Sequence, residues 1–295
     1  MSLAAIIGLC LFLIPQTIAV PWVKREMRYS DEIGVGPFMV WRGGLILVFG
    51  GGYITYTFGH GHLPSYYELG IALFSGLAVL SFYKALQYWP GSVVMIVLCM
   101  TPIVNFLFAL HRGESVSLAA ILATACLIIG SAIALFGGEI KRSEKNFSLT
   151  RGATWSVIAL FTNALLYEIL SLLLNKIQDK NMILEQQARA FLLIGVGIIV
   201  CGLLFTRLEE FKKSLERGPS FFAYGIAVGM LYFIGFALIF QSLPLEWASP
   251  LTMLELPMLM LGFRLVVGKS EQLTVLQYIG VTVAMIPPIV IKLTV

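Results

Sequence analysis

Ten stretches of about twenty apolar residues follow one another along this chain, parted by short polar connections. A helix crossing the roughly 30 Å hydrocarbon core of a bilayer needs about that length, because each residue adds about 1.5 Å of rise. The stretches cover residues 3–20, 36–57, 69–89, 92–110, 116–136, 153–175, 187–206, 221–241, 247–267 and 273–291. The longest polar connections, residues 24–32, 139–151 and 207–219, leave no room for a folded soluble domain. Only 12% of the residues are charged, against about 25% in soluble domains. A chain with a mean hydropathy of +0.89 has too little polar surface to face water on all sides. Lipid is its expected solvent, and helices are expected to satisfy the backbone inside it.

Several function classes drop out on the same reading. Residues 1–20 lack the basic start and the small-residue cleavage site of a secretory signal, and Pro15 and Pro21 punctuate the run, so they are read as the first span. Cys10, Cys99, Cys126 and Cys201 each lie in an apolar stretch without metal-ligand spacing and read as small packing residues. His60 and His62 have no third ligand nearby, so they read as loop histidines rather than a metal site. The net charge of +4 comes without a basic, aromatic-interleaved patch, which argues against a nucleic-acid partner. No GxxxxGK motif followed by Ser or Thr occurs, so ATP-driven transport by this chain alone is not expected. No cofactor is implied.

The polar segment at residues 139–151 divides the chain into two units, 1–140 and 150–293, with five stretches each. The units resemble each other locally. FYKALQYWP at residues 82–90 aligns with FALIFQSLP at residues 236–244. With one residue inserted after Pro244, Thr101-Pro102 falls opposite Leu256-Pro257, and Arg112-Gly113 opposite Val267-Gly268. An odd number of spans per unit turns the second over relative to the first. The expected fold is therefore an all-α integral membrane protein of ten transmembrane helices in two inverted five-helix repeats, with a substrate site at their interface near mid-membrane.

At these residues the chain resembles the drug/metabolite transporter superfamily, in its EamA-like branch. The family carries an Ala-Leu-x-Tyr stretch that leads to Thr-Pro across the third and fourth helices, and here Ala85-Leu86-Gln87-Tyr88 leads to Thr101-Pro102. Its second half repeats the pattern with an acidic residue and proline, matched by Leu254-Glu255-Leu256-Pro257, with Leu256 standing between the two. Trp41-Arg42 matches the arginine that opens the second helix, and Gly113-Glu114 and Gly268 match glycines before the fifth and tenth helices. The loop at residues 58–62 lacks the basic cluster of many members. The resemblance covers nearly the whole chain. It implies a multi-pass protein of the bacterial inner (plasma) membrane that exports or exchanges amino acids or related metabolites. A second copy of the chain is an optional partner.

Ionisable groups deep in a bilayer are costly, on the order of 2.5–3.5 kcal/mol on insertion scales, so they mark candidate sites. Glu255 lies about eight residues inside its expected span, roughly 12 Å deep. With Ser249 and Thr252 nearby it suits a coupling proton or cation, or a substrate ammonium; a structural carboxyl hydrogen-bonded between helices is the other reading. Glu168 lies roughly 10 Å deep, with Ser171 and Asn175 continuing its face and Asn163 before it. That stripe lines a cavity or bonds helix to helix. Lys84 and Gln87 suit a carboxylate if they face inward, while Lys84 can also snorkel to the interface. Pro102 and Pro257 deprive the Leu98 and Met253 carbonyls of their helical partners, giving hinges or exposed carbonyls beside the cavity, or static kinks. Tyr232, Tyr167 and Trp155 are candidates to line the pathway, and residues 225–229 offer a small-xxx-small face for close helix contact.

The expected function is secondary transport of a small polar metabolite by alternating access. A multidrug or cationic-compound exporter and a membrane-embedded lipid-modifying enzyme are the alternatives. The expected partners are the small-molecule substrate, a coupling proton or cation and the lipid bilayer. Fourteen Lys and Arg lie towards the connections after odd-numbered stretches, against five (Arg112, Lys176, Lys180, Arg189 and Lys292) on the other side. The positive-inside rule then places the odd connections in the cytoplasm and both termini outside, whereas the family resemblance implies both termini inside. The charge rule predicts that a cysteine at Ser143 resists membrane-impermeant thiol reagents in intact cells; ready labelling would favour the opposite orientation.

Overall fold

The computed structural model describes residues 3–29, 33–58, 66–113, 118–136, 147–174, 180–235, 238, 255–268, 271 and 273–294. Every regular element among them is helical. In chain order these are α1 (Leu3–Tyr29), α2 (Val35–Phe58), α3 (Tyr66–Tyr88), α4 (Gly91–Leu98), α5 (Thr101–His111), α6 (Leu118–Phe136), α7 (Leu149–Leu174), α8 (Lys180–Leu204), α9 (Leu208–Glu216) and α10 (Gly218–Gly225). A π-helical segment, Ile226–Leu231, continues α10, and α11 (Glu255–Val266) and α12 (Val275–Thr294) complete the order. Among the described residues six helical units are long and apolar enough to cross a membrane, or seven if the bent pair Arg189–Leu204 and Leu208–Glu216 is one span. Ile14, Ile18, Val48, Leu73, Ile129 and Leu265 stand exposed on the outside of the bundle. An apolar exterior of that kind is costly in water and favourable against lipid.

α4 and α5 share one expected stretch but are separate helices, broken at Cys99 and Met100. Pro102 therefore sits in the first turn of α5, where its missing N–H is no loss. The Leu98 carbonyl accepts the Thr101 hydroxyl at 2.8 Å, and Met100 N–H donates to the Val97 carbonyl at 3.0 Å. The Leu98 carbonyl is thus taken by a neighbouring side chain. Pro257 lies in the first turn of α11, and Met253 is outside the described residues.

A second break separates α3 from α4 at Trp89 and Pro90, and two buried charges hold it. Lys24 of α1 donates from Nζ to the Leu86 and Trp89 carbonyls, both at 2.6 Å. Glu271, between α11 and α12, accepts the Gly91 and Ser92 N–H groups at 3.0 Å each and the Ser92 hydroxyl at 3.1 Å. The two side chains lie 3.9 Å apart and are 2% and 0% exposed. Each ion meets the helix end whose dipole attracts it, a cation at the carbonyls and an anion at the amides.

The helix pairs that pack most extensively are α2 with α8, α6 with α12, α3 with α7 and α8, and α1 with α11. Small residues bring them together. A Cβ on Gly130 of α6 would meet the Gly280 carbonyl at 2.6 Å, and one on Gly280 of α12 would meet the Gly130 carbonyl at 2.7 Å. Gly225 and Gly229 lie against the Trp41 and Arg42 carbonyls of α2, each with 3.0 Å for an added Cβ, so the expected small-xxx-small face is a close helix contact. Gly113 and Gly268 are the two positive-φ glycines among the described residues, at 73° and 96°. A side chain is strained in that conformation, which accounts for glycine at both of these aligned positions.

Removing one member of the Lys24–Glu271 pair leaves the other charge and several helix-end groups unmatched in the core. Lys24→Met and Glu271→Ala are each expected to lower unfolding free energy by about 3–5 kcal/mol. Denaturant melts of purified protein in neutral detergent check this, and a loss below about 1 kcal/mol would show the break to be held by something else.

Candidate functional site

A second polar constellation is built on α2, the end of α3, the α10 region and α11. Arg42 lies seven residues after Val35, roughly 10 Å along α2. Its Nη1 donates to the Tyr83 hydroxyl at 3.4 Å, and Tyr83 and Tyr224 share a short hydroxyl–hydroxyl hydrogen bond. The guanidinium sits over the Tyr232 ring, 5.8 Å from its centroid, close enough for cation–π attraction. Tyr232 in turn stacks on Phe12 with centroids 4.6 Å apart, and Phe191 lies 6.2 Å from it. Glu255, at the start of α11, is within Coulombic reach of Arg42 and Tyr232, and Tyr167 of α7 also feels its charge. Among the described residues the Arg42 Nε is buried without a hydrogen-bond partner.

The π-helical segment explains how two tyrosines eight residues apart serve one site. In a regular α-helix eight residues turn through about 800°, which leaves the second side chain about 80° from the first. One π turn absorbs an extra residue, so Tyr224 and Tyr232 return to nearly the same face, both within Coulombic reach of Arg42. Below this layer, towards the end where α1, α3 and α8 finish, Phe38 stacks on Phe221 at 4.8 Å. Trp22 meets the same pair edge-on at 5.8 and 5.9 Å. Near the same end Arg217 pairs with Glu26 at 2.9 Å.

The sequence-derived candidates divide among several places. Glu255 joins the central cluster, as do Tyr232 and Tyr167. Glu168 does not: it pairs with Arg112, just after α5, near the opposite end. Asn163 of α7 donates to the Thr101 hydroxyl at 3.4 Å and so braces the α4–α5 break. Lys84 and Gln87 line a separate cavity near the end of α3, and Trp155 packs partly buried against the main core. Thr252 and the side chains of Ser171 and Pro257 are outside the described residues, as is Ser249.

Four contributors were not singled out in the sequence. Tyr83 and Tyr224 carry no motif of their own, and no periodicity distinguishes an inward tyrosine from a packing one. Glu271 lies in a polar connection, and Lys24 counts there as a loop cation. The available signal for Lys24 is that α1 runs unbroken through Pro21 to Tyr29, which puts Lys24 on a helix face rather than in a loop.

A hydroxyl pair of this kind acts as a unit. Tyr83→Phe and Tyr224→Phe are each expected to cost about 1 kcal/mol of stability, and the double variant little more than either single one. Additive losses in a double-mutant cycle would place the two hydroxyls in separate interactions.

Scans of the sequence against protein-family models and against curated proteins find no match. A search of solved structures does find likeness. One, titled only "Crystal structure of protein", aligns over 100% of this chain and 99% of its own with a TM-score of 0.58 and 15% identity. At that identity the likeness concerns the fold, and it extends over the full length of both chains.

Proposed function

We propose that the chain is a secondary transporter of a small polar metabolite, with ten spans in two inverted repeats of the drug/metabolite transporter type and the Arg42–Glu255 cluster as its substrate site. The observation that carries this reading is the placement of one cation, one carboxylate and three tyrosine hydroxyls, from both halves of the chain, deep among apolar helices. Such groups are costly in lipid unless something polar uses them. The helix pairings agree with a twofold relation between the halves. α2 packs with α8 and α6 with α12, which are repeat mates. The α5–α7 contact has its counterpart in α11–α1, and α3–α8 in α10–α2. The aligned positive-φ glycines, Gly113 and Gly268, fit the same relation.

Arg42 and Glu255 together suit a substrate bearing both a carboxylate and an ammonium, such as an amino acid. A fixed guanidinium at the site counts against a transporter of cationic compounds. Glu255 is also the group best placed to exchange a coupling proton as the cavity opens to each side. The test is flux of pooled metabolites into liposomes holding purified protein, followed by a pH series on the substrate found. Glu255→Gln keeps size and hydrogen bonding, and it is expected to reduce flux at least about tenfold, equivalent to about 1.4 kcal/mol, or to abolish its pH dependence. Equal flux with an unchanged pH profile would remove Glu255 from the mechanism, and no flux of any metabolite would remove the transport reading itself.

A further inference from the structure

We propose that a second cavity, where the end of α3 faces the start of α2 and the turn from α8 into α9, binds the phosphodiester of an anionic lipid headgroup. The cavity encloses about 440 Å³, with Lys84 and Gln87 of α3, Thr206, Arg207 and Glu210 at the turn, and Gly34 before α2 on its walls. Lys84 and Tyr83 are consecutive residues of α3, so their side chains point about 100° apart. Tyr83 faces the central cluster while Lys84 faces this cavity. The two sites are therefore distinct, and this one does not rest on the transport reading.

Charge selects the ligand. Two cations and one carboxylate give the cavity a net charge of +1, and the carboxylate is already engaged, since Glu210 accepts the Arg207 N–H at 3.5 Å. A phosphodiester carries a single negative charge, which matches. Depth selects the same ligand. Lys84 lies four residues before the end of α3, about 6 Å along the helix, within reach of headgroup level for a side chain that snorkels.

The apolar surroundings complete the match. The chain turns by 116° from α8 into α9, so α9 runs across the bundle end rather than through it. Leu208, Phe211 and Leu215 recur on one face of α9 while Glu209, Lys212, Lys213 and Glu216 occupy the rest, the pattern of a helix lying in a membrane interface. Leu204 and Phe205 are exposed on the cavity wall, and Leu208 and Leu215 are exposed along α9. Acyl chains would cover these residues, whereas a free phosphate would leave them bare. Basic pockets between helices at the Lys- and Arg-rich end of a membrane protein attract anionic headgroups in this way.

The test is native mass spectrometry of the full chain in neutral detergent, titrated separately with short-chain phosphatidylglycerol, short-chain phosphatidylcholine and inorganic phosphate. Phosphatidylglycerol is expected to be retained over phosphatidylcholine. Lys84→Gln/Arg207→Gln is expected to weaken its retention roughly thirty-fold, the loss of two cations' attraction. Arg264→Gln, which removes an exposed cation at the same end, should leave retention unchanged, and far-UV circular dichroism should show all variants folded. Equal retention of the two lipids, or equal retention by wild type and the double variant, would overturn the proposal. Binding of inorganic phosphate that the double variant loses, without preference for phosphatidylglycerol, would assign the cavity to a soluble anion and overturn the lipid assignment.

Discussion

The Lys24–Glu271 pair sets the geometry on which the central cluster depends. A helix break exposes carbonyls on one side and amides on the other, and at the α3–α4 turn these groups are buried away from water. At Trp89–Pro90 both sets are taken by one cation and one anion from distant parts of the sequence, Lys24 on α1 and Glu271 beyond α11. The pair does more than neutralise itself. It draws α1, α3, α4 and the α11–α12 connection to a common point, because only a chain folded with those elements adjacent can satisfy all of these groups together. Tyr83 lies three residues before the Leu86 carbonyl that Lys24 holds, so its depth and direction are set by that anchor.

The central cluster adds a second constraint, again through backbone irregularity. A π turn costs hydrogen-bond geometry, and such turns recur where a side chain must be re-aimed. Here the turn places Tyr224 below Arg42 and Tyr232 above it, so the guanidinium meets a hydroxyl pair on one side and an aromatic face on the other. Gly225 just before the turn and Gly229 within it let α2 approach closely enough for Arg42 to reach both. The polar site and the close helix contact therefore come from the same run of residues. Replacing either glycine would push away the helix that carries the cation.

How much of this could be read in the sequence follows from the kind of interaction involved. The helices were legible because lipid imposes a length and a composition on every crossing segment, as residues 3–20 or 69–89 illustrate. Glu255 was legible because a carboxyl deep in an apolar stretch is conspicuous. Gly113 and Gly268 were legible as an aligned pair, although their positive φ was not. Tyr83, Tyr224, Lys24 and Glu271 were hidden because their roles depend on partners that lie 141, 62, 65, 179 or 180 residues away along the chain. Glu168 was conspicuous for the same reason as Glu255, yet its pairing with Arg112 depends on α5 meeting α7, and the spacing of apolar residues carries no information about that contact.

The helix that joins these features is α3. Glu68 near its start accepts a hydrogen bond from Gln186 of α8 at 3.0 Å, and its last carbonyls are held by Lys24. Between these two anchors successive faces of the helix meet different surroundings. Gly76 packs against the α8 backbone, Tyr83 meets the central cluster, and Lys84 with Gln87 borders the second cavity. A helix fixed at both ends cannot rotate to favour one of these contacts without disturbing the others. Any rotation that withdraws Tyr83 from Tyr224 also moves Lys84 relative to Arg207, because the two side chains share one rigid turn of backbone.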